Sequence, residues 1–316
     1  MHRYAFAAAL VAALPAAADE TRTVTDDLGR TVEVPAEPQR IAVLHDKNLA
    51  TPLIELGVIP VGSHGRTTAE GAPFIRGAIR VTGYDFDNSD IAYLGGSPAD
   101  VEAVASAAPD LILTSTWQTA DVAQLAAIAP TVVIDTTARQ TIDVFPLLAE
   151  VTGTQDVLDR LQTRYAAQIA QLRSLVPTEE ITVAVMQGVD GAIYVQHTYS
   201  ALGKVLRDAG FAFPPAVDAI PEGTAESWSA ERLPELDADI VFLTYRNDAG
   251  QTPADAVAAM EAVLPSFCDV LHACREGQIV ILPRDEATSA SYDALMALGL
   301  VVLAATTSDE IVRRTE

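Results

Sequence analysis

The residues of this chain best able to do chemistry stand just after its apolar runs. His45 and Asp46 follow Ile41-Ala42-Val43-Leu44, and His64 and Arg66 follow Val58-Ile59-Pro60-Val61-Gly62. Ser115-Thr116-Trp117-Gln118 follow the run from Pro109 to Thr114. Later, His197-Thr198-Tyr199 come after Ala192 to Val195, and Tyr245-Arg246 after Ile240 to Thr244. Trp228 stands in a loop ahead of an expected helix. Ligands of open α/β sheets bind beyond the carboxyl ends of the strands. The expected ligand-binding set is therefore His64, Arg66, Trp117, Gln118, Tyr199, Trp228, Tyr245 and Arg246. Rings and guanidinium groups are the chemistry of holding: faces for apolar arms, cationic donors for oxygen acceptors.

Each of these residues has a plainer alternative. Trp228 equally fits packing beneath the helix that follows it, and Arg246, beside Asn247 and Asp248, also reads as a solvated turn. Tyr194 alternates within a strand and reads as core. Trp117 follows a completed strand among polar residues, and only 6% of the chain is aromatic, so an indole there needs a reason. No catalytic residues are expected: the chain has no G-x-S-x-G, H-E-x-x-H, G-x-x-x-x-G-K-[ST] or dinucleotide glycine pattern. A bare metal ion would need three or four converging His and carboxylate ligands; His45 and His64 are suggestive, but the tryptophans and Arg66 suit a metal-ion pocket poorly, so no direct metal site is expected. Cys268 and Cys274, six positions apart, favour a local disulfide in an oxidising compartment, with free thiols as the alternative. His272 between them is too little for a metal.

The elements that must position these residues follow a repeated grammar. Val24 to Val34 alternates around Asp27-Leu28-Gly29-Arg30 and reads as a hairpin, stopped by Pro35 and Pro38. Ile41 to Leu44 is apolar throughout, as a parallel strand covered on both faces must be. A helix from Asn48 to Leu56 ends at Gly57, Val58 to Gly62 is a second strand, and 63–96 is loop. Ser97 caps a helix to Ala107, with Pro98 at its first position and Asp100 completing a capping box. Pro109 to Thr114 and Thr131 to Ile134 are strands bridged by a helix from Asp121 to Ala129.

Thr154 to Leu175 is one long helix, with Leu158, Leu161, Tyr165, Ile169, Leu172 and Leu175 as its apolar stripe and Thr154 as its cap. Strands then follow at Ile181–Met186, Ala192–Val195, Ile240–Thr244 and Ile279–Leu282. Helices are expected at Ser200–Asp208, Ala230–Leu236, Pro253–Leu264 and Ser291–Thr306. The fold class is α/β: two βα lobes with parallel central sheets, joined by a single long helix, with a ligand cleft between them. The divisions expected are 1–18 leader, 19–150 first lobe, 151–177 interlobe helix and 178–316 second lobe.

The leader reading rests on Met1-His2-Arg3, an apolar run from Tyr4 to Leu14, and Pro15-Ala16-Ala17-Ala18, with cleavage near Ala18. The run is shorter than the roughly 20 residues that span a bilayer, and no Cys follows it to carry a lipid. The net charge of −23, from 20 Lys+Arg against 43 Asp+Glu, disfavours nucleic acid and anionic membranes as partners.

Two stretches resemble the siderophore-binding proteins of bacterial ABC importers. Asp26 or Asp27 opens a D-x-x-G-R-x-V-x-V-P-x-x-P-x-R-I pattern through Gly29-Arg30, Val32, Val34-Pro35, Pro38 and Arg40-Ile41, and Leu53 to Gly62 matches L-x-x-L-G-v-x-P-V-G. The resemblance implies a monomeric periplasmic receptor without cofactor. It would hold a ferric siderophore in a cleft between lobes that move little and deliver it to the permease subunits of an ABC importer. Haem and cobalamin are ligands of the same fold, and an enzyme acting on the chelate is the reading from another class. Arginines expected near the cleft are Arg66, Arg76, Arg80 and Arg246, and Tyr245-Arg246 matches a pair in relatives resembling ferric citrate binders. Glu102 and Glu231 match the positions where the family carries one glutamate per lobe to pair with permease arginines.

Overall fold

The computed structural model describes residues 20–139, 141–307 and 311–314. The expected leader, with its cleavage near Ala18, lies outside the described residues. The first half carries strands β1 (Thr21–Thr25), β2 (Thr31–Pro35), β3 (Ile41–Val43), β4 (Gly62–Ser63), β5 (Arg66–Thr67), β6 (Pro73–Phe74), β7 (Ala92–Tyr93), β8 (Leu111–Ser115) and β9 (Thr131–Ile134). Its helices are α1 (Thr51–Glu55), α2 (Ala78–Thr82), α3 (Val101–Ser106), α4 (Val122–Ala126) and α5 (Phe145–Thr152). The long helix α6 (Gln155–Leu175) follows. The second half has β10 (Val183–Val189), β11 (Ala192–Gln196), β12 (Ala225–Trp228), β13 (Ile240–Tyr245) and β14 (Ile279–Pro283). Between and after these strands come α7 (Ser200–Ala209), α8 (Pro215–Asp218), α9 (Pro253–Val263), α10 (His272–Arg275), α11 (Arg284–Ala287) and α12 (Tyr292–Thr306).

The fold is α/β, with two five-stranded sheets ordered β7-β4-β3-β8-β9 and β12-β11-β10-β13-β14. The first is parallel throughout. In the second, β10, β13 and the edge strand β14 run parallel, while β11 and β12 add an antiparallel flank on the other side. Every residue of β3 and β8 is buried, which is why these strands carry apolar runs without alternation. The β1–β2 hairpin turns where expected. Asp26 Oδ1 accepts from the amides of Leu28 and Arg30, and Gly29 supplies the left-handed residue at φ 74°.

Several elements differ from the sequence reading. The second strand is only Gly62–Ser63, because Pro60 has no N–H to give the ladder. The region expected as loop, 63–96, carries four short elements: β5, β6, α2 and β7. Asp100, rather than Ser97, caps α3, its carboxylate taking the amides of Glu102 and Ala103; Pro98 follows a cis peptide outside the helix. Residues 46–50 form a π turn that runs into α1, where one α-helix was expected. Ala230–Leu236 is a 3₁₀ helix, since Pro234 interrupts an α ladder. The Thr154 hydroxyl pairs with Thr152 instead of capping α6, and Leu175, last in the stripe, is 56% exposed.

One apolar cluster runs through both sheets. It contains Ile41 and Val43 of β3, Val183 and Val185 of β10, Phe242 of β13, and the buried faces of α5, α6, α7 and α12. Leu158, Leu161, Tyr165, Ile169 and Leu172 of α6 all lie in it. The two sheets therefore share a core instead of hinging on a bare connector. A second tie is polar. Glu55, at the end of α1, accepts from the Ser291 hydroxyl and from the amides of Tyr292 and Asp293, closing the first turn of α12 from the other half of the molecule.

Candidate functional site

The π turn after β3 and the loop after β4 bring two histidines together. His45 Nδ1 accepts from the Asn48 amide at 3.1 Å, and His64 Nδ1 accepts from the Asp46 amide at 3.3 Å. Both rings therefore carry their hydrogen on Nε2 when neutral. Burial, aided by the charge of Arg76, pushes His45 down to about 3 against the pull of Asp46, and burial lowers His64 in the same direction. Both are neutral at ordinary pH. Trp117, in the loop after β8, sets its ring near both, at centroid distances of 5.4 Å from His45 and 5.3 Å from His64, edge-on in each case. It stays 46% exposed. This corner is an uncharged aromatic wall open to solvent.

Beside it lies a dense patch of charge. Asp46 is fully buried; Arg76 Nη2 lies 3.1 Å from its Oδ1, while its Oδ2 has no hydrogen-bond partner. Burial opposes the charge of Asp46, and Arg76 overcomes it, leaving the carboxyl below its usual range. Lys47 reaches across to the other half, donating to Thr288 Oγ1 at 3.1 Å. Burial, then the charges of Arg76 and Arg284, push its ammonium down to about 7. Arg66 feels Arg76, Asp46, Asp248 and Arg246, so the loop after β4 faces the loop after β13. Arg246 pairs with Asp248 at 2.9 Å, Asn247 donates to Asp285 at 3.1 Å, and Arg80 pairs with Glu286 at 2.7 Å across the two halves. A cavity of about 150 Å³ opens here, lined by Lys47, Asn48, Thr136, Gln196, Thr198 and Thr288. Another, of about 280 Å³, lies between Ile75 and Arg80 on one side and Asn247, Asp248 and Asp285 on the other.

The structure brings His64, Arg66, Trp117 and Arg246 of the expected set to this cleft, and Tyr245 ends β13 beside Arg246 with its ring against the second half's apolar cluster. Two others, Gln118 and Trp228, it turns away from the cleft, and Tyr199 it buries beneath the charged patch. Gln118 is buried, its Oε1 accepting from the Ala99 and Thr119 amides and its Nε2 donating to the Gly96 carbonyl, so it ties down its own loop. Tyr199 is buried with its hydroxyl 2.7 Å from Thr244 Oγ1 and beside Arg284 of the charged patch. Because β11 runs antiparallel, His197 does not leave the sheet at the carboxyl edge where Tyr245 does. Trp228 is 2% exposed at the end of edge strand β12, its Nε1 donating to Glu226 and its face covered by Arg232 at 3.5 Å. The sequence reading put it in a loop ahead of a helix; the structure makes it the last residue of an edge strand whose preceding residues Glu226 and Ser227 are exposed.

Lys47 and Arg284 were missed. Arg284 follows β14 as Arg246 follows β13, so the same rule about carboxyl ends points to it. Lys47 has only the polar run His45-Asp46-Lys47-Asn48 as a signal. Away from the cleft, Glu102 and Glu231 are exposed in the first turns of their helices, and Cys268 and Cys274 are disulfide-bonded. Among the described residues no group of three His, Cys, Asp or Glu is placed to hold a metal, and no helix is long and apolar enough to cross a membrane.

Residues 79–286 match the family model described as a periplasmic binding protein. The chain is 28% identical over 241 residues to a Bacillus subtilis protein named probable siderophore-binding lipoprotein YfiY, covering 72% of this chain and 70% of that one. It is 26% identical over 242 residues to the B. subtilis iron(3+)-hydroxamate-binding protein YxeB, covering 74% and 70%. Among solved structures, Staphylococcus aureus SirA complexed with staphyloferrin B superposes with a TM-score of 0.73 at 21% identity, over 90% of this chain and 98% of that one. The last of these likenesses is one of fold.

Proposed function

The chain belongs to the periplasmic binding protein family, and we propose that it captures a ferric siderophore outside the cytoplasmic membrane and delivers it to the permease of an ABC importer. The observation that carries this reading is the cleft itself. On one half an exposed indole stands edge-on to two neutral imidazoles, the same half's Arg66 feels Arg246 and Asp248 of the other, and a hydroxyl-lined cavity opens beside Lys47. That is a surface for holding a large oxygen-rich chelate. The core shared by both halves supports a receptor whose lobes stay in place when it loads.

In this reading the mature protein is a periplasmic monomer without cofactor, divided as 19–150, an interlobe helix at 151–177, and 178–316. Its exposed Glu102 and Glu231 are the acidic points that meet the permease. Charge reversal at both should abolish import and leave ligand affinity unchanged; a fall in affinity would remove them from this role. The reading as a whole is tested by tryptophan fluorescence of the mature chain, titrated with ferric hydroxamate, citrate-type and catecholate siderophores, haem and cobalamin. A ferric siderophore should quench Trp117 saturably below micromolar concentration. Silence across the ferric chelates, or a response confined to haem or cobalamin, would end the siderophore reading.

A further inference from the structure

The charge patch beside Trp117 deepens that reading and rests on it. Five cationic side chains, Lys47, Arg66, Arg76, Arg246 and Arg284, are within electrostatic reach of one another, directly or through a shared neighbour. The carboxylates among them are three: Asp46, Asp248 and Asp285. The patch thus keeps a cationic excess in a chain whose net charge is −23. Nearby Arg80 and Glu286 pair with each other and leave that excess unchanged.

The cations are also short of acceptors. Nε of Arg66, Arg76 and Arg284 are buried with no hydrogen-bond partner, and with Asp46 Oδ2 they make four of the eight such side-chain atoms in the described residues. Arg66 makes no ion pair at all among those residues, while burial and its cationic neighbours lower its pKa. Lys47 spends one N–H on Thr288 and lines the hydroxyl-rich cavity with Asn48, Thr136 and Thr198. Asp285 is pushed up by burial and by the charge of Asp248. Like charges held this close and this dry are costly without an anion among them.

We infer that the cleft is built for a ferric chelate that carries net negative charge on carboxylate groups, rather than for a neutral ferric trihydroxamate. The guanidinium fork matches a carboxylate in two hydrogen bonds. The cavity beside Lys47 offers threonine hydroxyls and amides to a hydroxycarboxylate arm, where a catechol ring would want aromatic or apolar walls. Trp117 alone supplies an open ring face in this corner.

The test compares wild type with Arg66→Gln and Lys47→Gln, titrated with ferric citrate, neutral ferrichrome and an anionic ferric triscatecholate at low and high NaCl. Arg66→Gln breaks no ion pair and removes one of the crowded charges, so its melting temperature without ligand should not fall below wild type; Lys47→Gln gives a second variant from a different element. Ferric citrate should bind tightest, weaken with salt, and lose about 10- to 100-fold on Arg66→Gln, the range of one charge-assisted hydrogen bond. Ferrichrome should be weak and indifferent to both changes. Ferrichrome binding as tightly as citrate, with Arg66→Gln silent, overturns the inference and leaves the receptor reading standing. Preference for the triscatecholate overturns the carboxylate assignment. Binding of none of the three overturns the inference together with the reading it rests on.

Discussion

The two walls of the cleft are built from the same loops and do opposite things. At the aromatic corner, His45 and His64 are stripped of charge and Trp117 leaves its ring open, so that wall answers shape and polarizability. A few ångströms away, Arg66 and Arg76 keep charge in a place where burial works against it, and Lys47 is brought by the same burial to about 7. Asp46 is the hinge of the contrast: its backbone amide fixes the His64 tautomer, and its carboxylate anchors Arg76. Adjacent side chains can thus be tuned to neutral and to charged by which of them owns the nearest counter-ion. Selectivity for ligand size and for ligand charge can then be separated by mutation.

The strongest break of this arrangement is Arg76→Gln, which leaves the fully buried Asp46 without its cation. Unfolding in urea should show a loss of about 3 kcal/mol, the scale of an orphaned buried charge. A loss below about 1 kcal/mol would mean that water reaches Asp46 and that the two walls are not coupled through it.

Smaller, and confined to the charged wall, is a pH effect at Lys47, which faces Arg76, Arg284, Asp46 and Asp285. Its folded pKa of about 7 lies below the ordinary 10.5, so the unfolded chain binds the extra proton between those values and this group's contribution makes stability rise with pH across that window. Binding runs the other way: an anionic chelate wants the ammonium form, so its affinity should fall as pH rises through about 7, while affinity for a neutral chelate stays flat. Glu55, which burial pushes up to about 7, titrates in the same range, so Lys47→Gln is the control, and it should abolish the binding slope. Calorimetric titrations from pH 6 to 9 that show equal slopes for both chelates would remove Lys47 from the charged wall.

Smaller again is the aromatic wall. Trp117→Ala should cost about two- to tenfold in affinity for anionic and neutral chelates alike, the worth of one ring contact. Trp228→Phe should leave affinity and quenching within about twofold, lowering stability by about 1 kcal/mol through the lost Glu226 bond and weaker Arg232 stacking. Quenching that follows Trp228 instead would relocate the ligand.

The contrast between those two tryptophans also measures what sequence can carry. Parallel strands such as Ile41–Val43 and Leu111–Ser115, and the stripe of α6, are legible because burial on both faces or on one face writes directly into residue order. Trp117 was legible because it follows a completed strand. Trp228 was not, since an edge strand with one polar face looks like loop until its partner β11 is known. Gln118 stands next to Trp117 yet turns inward, because the amides it satisfies, Ala99 and Thr119, lie partly on a segment that sequence adjacency does not reveal. The charged wall was half legible: arginines at strand ends could be named, but the burial that gives Lys47 its character is a property of packing from both halves.

The carboxylate of Glu55 has a consequence for the order in which the molecule is made. The first turn of the helix at Tyr292 is closed by a side chain that lies 236 residues earlier in the chain. Locally the Ser291 hydroxyl takes only the Ala294 amide, so the amides of Tyr292 and Asp293 wait for the β3–α1 unit to be in place as a template. Maturation should therefore proceed as one cooperative event rather than as two halves ripening separately, and a mutation at Glu55 should leave behind chains that are open at their C-terminal end and the first to be taken by proteases.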